Sequence, residues 1–210
     1  MKIKYILLVT ITLVLTACVD KALEAVVWTE IEADEEPPGT YHLLEEDGTK
    51  IFLPHDFTRY SVSKFQKVLD SVLDGQEYES EIKRINKLKD ARGSFYIYFD
   101  DQSRSSLTVS TVEYMQIEQE EAQTLLGMIR SHLDYEALKK NIEIEKVTAK
   151  YSGDKTKYVF KSVYKLTDLE TNTEWYNSSY IVTSNLKTVF IQLVTSFEAD
   201  FDPYILKTIL

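Results

Sequence analysis

The sequence predicts an α+β fold: a curved antiparallel sheet of about six or more strands, flanked by helices. Three observations predict it. The last third of the chain reads as four β-rich runs joined by short polar turns, and such tight turns favour an antiparallel meander. Two pairs of short apolar runs further upstream have the form of hairpins. Between and after these pairs lie stretches whose apolar residues recur at helical spacing.

The folded domain is expected to begin at Thr40 and to run to Leu210 as a single unit. Tyr41-His42-Leu43-Leu44 and Lys50-Ile51-Phe52-Leu53 flank Glu45-Glu46-Asp47-Gly48-Thr49. Asp-Gly tolerates positive φ, which a tight hairpin needs. Pro54 ends the second strand because it has no N–H for the ladder. Residues 61–73 form a helix with Phe65, Val68, Leu69, Val72 and Leu73 on one stripe, and Gly75 stops it. A second helix covers 77–89, with Tyr78, Ile82, Ile85 and Leu88 on one side and dense charge elsewhere. After Gly93, residues 94–99 and 106–114 form a hairpin over the polar turn 100–105.

Residues 118–140 carry the longest helical pattern. Glu118, Glu120 and Glu121 sit at its start and Lys139 and Lys140 at its end, each sign where the helix dipole favours it. Ala122, Leu125, Leu126, Ile129, Leu133 and Leu138 form its apolar stripe. The strand runs 142–151, 156–166, 173–183 and 187–197 follow, separated by Ser152-Gly153-Asp154, residues 167–172 and Ser184-Asn185. Asp202 then caps a closing helix, with Pro203 at its first position.

The N-terminus has a different organisation. Lys2 and Lys4 precede an apolar run over residues 5–15, which ends in Leu15-Thr16-Ala17-Cys18. Basic, then apolar, then small residues is the layout of a secretory signal. The run is short for a hydrocarbon core of roughly 30 Å. With Cys18 at its end, the stretch resembles the lipobox of bacterial lipoproteins. The resemblance implies cleavage before Cys18, a diacylglycerol on its sulfur and usually an acylated new amino terminus. Acyl chains add about 0.8 kcal/mol of membrane affinity per buried CH₂, so two or more hold a protein stably. Cys18 is the only cysteine, so the mature domain has no intramolecular disulfide. Residues 18–39 read as a lipidated N-terminus and an acidic spacer ending in Pro37-Pro38-Gly39, stiffened by its prolines and by like charge.

Composition narrows the function. The chain has 210 residues, and removal of 1–17 leaves one domain plus a tether. A hydrophobic fraction of 44% is enough for a core without disulfides. The net charge is −10, and it becomes −12 once Lys2 and Lys4 leave with the signal. That acidity argues against nucleic acid, whose phosphates need Lys and Arg, and against close electrostatic docking on an anionic bilayer. It reads first as a solubility feature.

The order of elements, together with Ile51-Phe52-Leu53-Pro54-His55-Asp56-Phe57 closing the first hairpin, resembles the Mog1/PsbP-like fold group. The resemblance covers about residues 40–210 and implies an antiparallel sheet lying between helices. It implies no catalytic motif, since the group includes a photosystem extrinsic subunit, a small-GTPase-binding protein and bacterial lipoproteins. A fold of this kind does not by itself give a function.

Few residues have the spacing of a chemical site. His42, His55 and His132 fall on three different elements, with no HExxH and no paired cysteines, so no metal is expected. His55-Asp56 could form part of a hydrolase triad, but there is no Gly-x-Ser-x-Gly elbow. Asp100-Asp101 could bind Ca²⁺, but lacks the loop spacing and reads as a turn. There is no Gly-rich phosphate loop, and no cofactor is expected. Asn177-Ser178-Ser179 matches a glycosylation acceptor. The 14 tyrosines are the one enrichment. Alternation places Tyr158 and Tyr164 on one face of their strand and Tyr176 and Tyr180 on one face of the next, which makes these four a possible recognition surface, set against a core role under flanking helices.

The expectation is therefore a lipid-anchored, non-enzymatic binding or accessory protein of the bacterial cell envelope. It is held to a membrane through Cys18, the outer membrane being favoured, and its partner is an envelope protein or glycan. The alternatives are a small-molecule or apolar-ligand carrier lipoprotein and, after that, an envelope hydrolase.

Overall fold

In the computed structural model the described residues are 36–73, 75–90, 93–153 and 156–210. The expected signal 1–17, Cys18 and the expected tether up to residue 35 lie outside them. The elements run β1 (Thr40–Leu44), β2 (Thr49–Leu53), β3 (Thr58–Tyr60), α1 (Val62–Asp70), α2 (Gly75–Asp90), β4 (Phe95–Asp100), β5 (Ser105–Val112), α3 (Gln119–Lys140), β6 (Ile142–Gly153), β7 (Lys157–Asp168), β8 (Glu174–Ser184), β9 (Lys187–Thr195) and α4 (Asp202–Leu206). Seven strands form one sheet in the order β3-β4-β5-β9-β8-β7-β6, and β1-β2 is a separate hairpin. Every pairing is antiparallel.

Several local rules act as the sequence predicts. Gly48 closes the first hairpin with φ +75. Ser61 caps α1, its hydroxyl accepting from the Lys64 N–H at 3.1 Å. Glu121 accepts from the Glu118 N–H at the start of α3, and Asn141 ends that helix in the left-handed conformation. Three expectations shift. The helix α1 stops at Asp70, so Val72 lies beyond it and is exposed, and Gly75 opens α2 instead of ending α1. Phe201 is the N-cap of α4, so Asp202 belongs to its first turn. Leu138 is 89% exposed while Ala122 and Leu133 are buried. Sixteen residues past Ala122, at about 100° each, Leu138 sits roughly 160° around the helix from the buried stripe.

The sheet divides the core into layers. On one face Tyr96, Tyr98, Leu107, Val109, Tyr180, Val182, Val189, Ile191 and Leu193 pack under the β1-β2 hairpin and α4. On the other face two separate helical layers cover the two ends. Over β3 and β4, Phe65, Leu69 and Ile85 of α1 and α2 meet Tyr60, Ile97 and Phe99. Over β6 and β7, α3 packs on Phe160, Tyr164, Leu166 and Ile181.

Lysines fasten the hairpin and α4 to the first face. Lys157 donates to the carbonyls of Ile205, Leu206 and Thr208, at 3.3, 2.7 and 2.8 Å, where α4 ends. Lys161, a nearly buried cation, pairs with Asp202 at 2.6 Å, and the Tyr180 hydroxyl donates to the same carboxylate at 3.1 Å. Lys187 donates to the Asp47 carbonyl in the hairpin turn at 2.6 Å. The end of the expected tether also belongs to this layer: Pro37 is buried and Glu36 pairs with Lys207 at 3.2 Å.

Candidate recognition site

On the helical face the two covered ends are apolar and the middle is not. Cross-strand register makes this visible row by row. Ile97, Thr108, Gln192, Ser179 and Ser162 stand opposite one another across β4, β5, β9, β8 and β7. The next row runs Phe99, Ser106, Val194, Asn177 and Tyr164, and the row on the other side runs Phe95, Ser110, Phe190, Ile181 and Phe160. Where α1, α2 or α3 lies above, the residue is mostly large and apolar. Between the helical layers, β5, β9 and β8 present Ser106, Thr108, Ser110, Gln192, Asn177 and Ser179. The sheet floor follows its cover: dry packing selects apolar side chains, and the gap selects hydroxyls and amides that water or a ligand can satisfy.

A hydrogen-bonded chain organises this trough. Arg84 on α2 grips Glu81 in a two-pronged pair, Nε to Oε2 at 2.8 Å and Nη2 to Oε1 at 2.6 Å. Its remaining arm donates to Gln192 Oε1 at 3.1 Å. Gln192 Nε2 in turn donates to Asn177 Oδ1 at 3.1 Å. The Gln192 and Asn177 oxygens each accept one bond of the chain, and among the described residues no bond from the Asn177 amide nitrogen is made. Gln192 and Asn177 are half-buried, which leaves them rigid and reachable. The trough can offer directed hydrogen bonds, with Phe190 and Val194 as half-exposed apolar neighbours. Among the described residues it holds no cysteine, histidine or paired carboxylates.

Of the four tyrosines proposed as a surface, Tyr164 and Tyr180 are buried, at 1% and 0% exposure, on opposite faces of the sheet. Burial raises the Tyr164 phenol above its usual range. Tyr180 rises further, because its ring is buried beside the Asp202 charge. These two are core residues and offer no surface. Tyr158, stacked on Tyr151 with ring centroids 6.2 Å apart, and Tyr176 are half-buried. Among the described residues the exposed tyrosines are Tyr41, Tyr114 and Tyr135. Alternation fixes which tyrosines share a face, but the covering helices decide which face is wet.

The histidines stay apart. His42 makes an edge contact with the Tyr98 ring at 5.0 Å and is held below its usual pKa by burial, then by Arg59. His55 and His132 are exposed. No group of three metal-ligating side chains occurs among the described residues. Asp100 accepts from the Gln102 and Ser103 N–H groups and the Ser103 hydroxyl, and Asp101 accepts from the Tyr60 hydroxyl at 2.6 Å. Both aspartates thus organise the β4-β5 turn. The Asn177-Ser178-Ser179 run lies within β8, its serines buried.

Arg84, Gln192 and Asn177 were not legible as a set from sequence. One signal was available: Gln192 is the lone long polar residue within Val189-Phe190-Ile191-Gln192-Leu193-Val194. Its partner Arg84 lies 108 positions earlier, and only the fold brings the two together.

Two solved structures resemble this architecture. Cyanobacterial PsbP (CyanoP) from Synechocystis superposes with a TM-score of 0.52 at 13% identity, over 86% of this chain and 97% of that one. The fold is Mog1/PsbP-like. The Ran-binding protein Mog1p from Saccharomyces cerevisiae aligns with a TM-score of 0.43 at 9% identity, over 76% of this chain and 78% of that one. No family model and no curated protein sequence matches the chain. At these identities the likeness concerns the fold, and the trough on this Mog1/PsbP-like sheet is read from the present residues alone.

Proposed function

We propose that the chain is a non-enzymatic binding or accessory protein of the bacterial cell envelope, anchored by lipid on Cys18. The observation that carries the reading is the trough. The Arg84-Gln192-Asn177 chain presents hydrogen-bonding groups on a half-exposed, partly apolar floor, which suits recognition of a polar protein or glycan surface. The anchor rests on Lys2, Lys4, the apolar run and Leu15-Thr16-Ala17-Cys18. Two cavities are open grooves, about 560 Å³ between Arg130, Asp134 and Lys139 and about 430 Å³ between Arg59 and the apolar Val62, Phe95 and Ile97. Such grooves support surface recognition over enclosure of an apolar ligand.

The test has two arms. Cys18→Ala should abolish metabolic labelling by a fatty-acid analogue, and unchanged labelling contradicts the anchor. Gln192→Leu with Asn177→Leu should abolish crosslinking to an envelope partner while the protein stays folded by circular dichroism. Turnover of an ester, peptide or glycan that disappears in His55→Ala contradicts the reading in favour of a hydrolase.

A further inference from the structure

The two sides of the β1-β2 hairpin differ. Leu44, Ile51 and Leu53 are buried against the sheet, and His42 meets Tyr98 on that side. Tyr41 and Leu43 alternate with them and are 50% and 49% exposed. The C-terminus extends this outer side. Lys50 and Ile209 exchange two backbone hydrogen bonds of 2.8 Å, and Leu43 stands opposite Lys50 on β1. Leu43, Lys50 and Ile209 therefore form one row, with Ile209 half exposed. Leu206, at the end of α4, is more exposed still, and Lys207 beside it lies 5.0 Å from the Phe52 ring. Four large apolar side chains thus remain in water beside two lysines. A contiguous patch of this kind marks a contact surface.

The chain enters the domain at this patch. Glu36 pairs with Lys207, Pro37 is buried, and Gly39 is pressed so close to β2 that a Cβ there would lie 2.4 Å from the Leu53 carbonyl oxygen. Cys18 is 18 residues before Glu36, a reach of at most about 60 Å when extended.

We propose that the Tyr41-Leu43-Leu206-Ile209 patch is a membrane-contacting face, resting on the headgroup layer of the bilayer that holds the Cys18 lipid. The proposal rests on the lipid-anchor reading. Apolar side chains beside an exposed lysine suit the interfacial region, where the first bury area and Lys50 meets lipid phosphates, Lys207 being taken up by Glu36. Acidic groups at the same end oppose approach. Of these, Glu36 and Glu45 are paired with Lys207 and Arg59, Asp47 accepts from the Thr49 N–H, and Glu46 stays exposed. The patch alone is a weak binder, but the tether makes the contact intramolecular and so raises its effective concentration. The hairpin covers one face of the sheet and the trough opens on the other. Docking through the hairpin therefore turns the trough away from the membrane.

The test uses the lipidated full chain. Cys18 is the only native cysteine, so once acylated it leaves an introduced thiol as the single labelling site. Leu43→Cys and, on α3 over the opposite face, Met128→Cys are each labelled with an environment-sensitive fluorophore. Both proteins are then reconstituted in phosphatidylethanolamine–phosphatidylglycerol vesicles carrying a nitroxide lipid. The expected result is several-fold stronger quenching at position 43 than at 128. In protein labelled at Tyr41→Cys, an added Ile209→Glu should abolish that quenching while the protein still floats with the vesicles. Flotation with equal or absent quenching at the two sites overturns the membrane face and leaves the anchor standing. A probe at 43 shielded without lipid quenching assigns the patch to a second copy or a protein and overturns the proposal. Protein that carries no acyl group by mass and does not float overturns the anchor reading and the membrane face with it.

Discussion

Asp202→Ala should be far more damaging than Lys161→Met, although the two side chains are partners. Lys161 projects from β7 with its side chain only 10% exposed, 2.6 Å from Asp202 and 3.8 Å from Asp200. Asp202 is 35% exposed and also accepts from the Tyr180 hydroxyl at 3.1 Å. Removing the carboxylate leaves a buried ammonium, a change that typically costs about 3–5 kcal/mol. Asp200 remains within reach and is well exposed, so about 2–3 kcal/mol of that applies here. The Tyr180 hydroxyl loses its carboxylate acceptor, which adds about 1 kcal/mol. Lys161→Met removes the cation but keeps an unbranched stem in the same packing, and Asp202 retains Tyr180 and water. That change should stay within about 1 kcal/mol of the parent. The double variant should recover about 2 kcal/mol relative to Asp202→Ala alone, because no buried charge is left behind. Urea unfolding with an unchanged slope measures these differences, and each kcal/mol should move the melting temperature by about 2–4 °C. A cost below about 1 kcal/mol for Asp202→Ala, or equal costs for the two single changes, would refute the reasoning.

Three further outcomes follow from the packing. Leu133→Ala should cost about 2–3 kcal/mol and Leu138→Ala less than about 0.5, and the reverse order in thermal melts would mean α3 is turned the other way. Ser162 is fully buried and its hydroxyl has no hydrogen-bond partner among the described residues, so Ser162→Ala should raise stability by about 1 kcal/mol, and a clear loss in urea unfolding contradicts that account. His42 has its pKa lowered in the fold, so below its ordinary value of 6.5 the unfolded chain binds the extra proton first. Its contribution is thus intact above that pH and lost as pH falls through the folded pKa; His42→Gln should flatten the stability profile there, and an unchanged slope counts against the assignment.

Much of the fold is written locally. Asp47-Gly48, Ser61, Glu118 with Glu121, and the turns between the last four strands each act through neighbours in sequence, and each sits where local rules place it. What was illegible depends on distant partners. The strand β3 is three residues long and exists through its pairing with β4. The joining of β5 to β9, which places the meander beside the upstream hairpin, has no local signal. Lys161 looks like any strand lysine until α4 brings Asp202 to it. The same holds for the candidate site. Tyr164 and Tyr180 share their alternation with exposed residues and differ only in what lies above them, and the trough depends on Arg84 of α2 meeting Gln192 and Asn177 of two separate strands, with Thr108, Ser110 and Ser179 buried around them.

The central claim is that this floor recognises an envelope partner while the protein is held at the membrane. A photo-crosslinking residue at Asn177, in the lipidated protein within its native membranes, tests it most directly. The account predicts one discrete adduct with an envelope protein or glycan, lost when Arg84→Ala and Gln192→Leu are added and absent when the probe sits at exposed Leu186. Adducts of equal yield from both positions, or none from Asn177 in folded, membrane-bound protein, would contradict it.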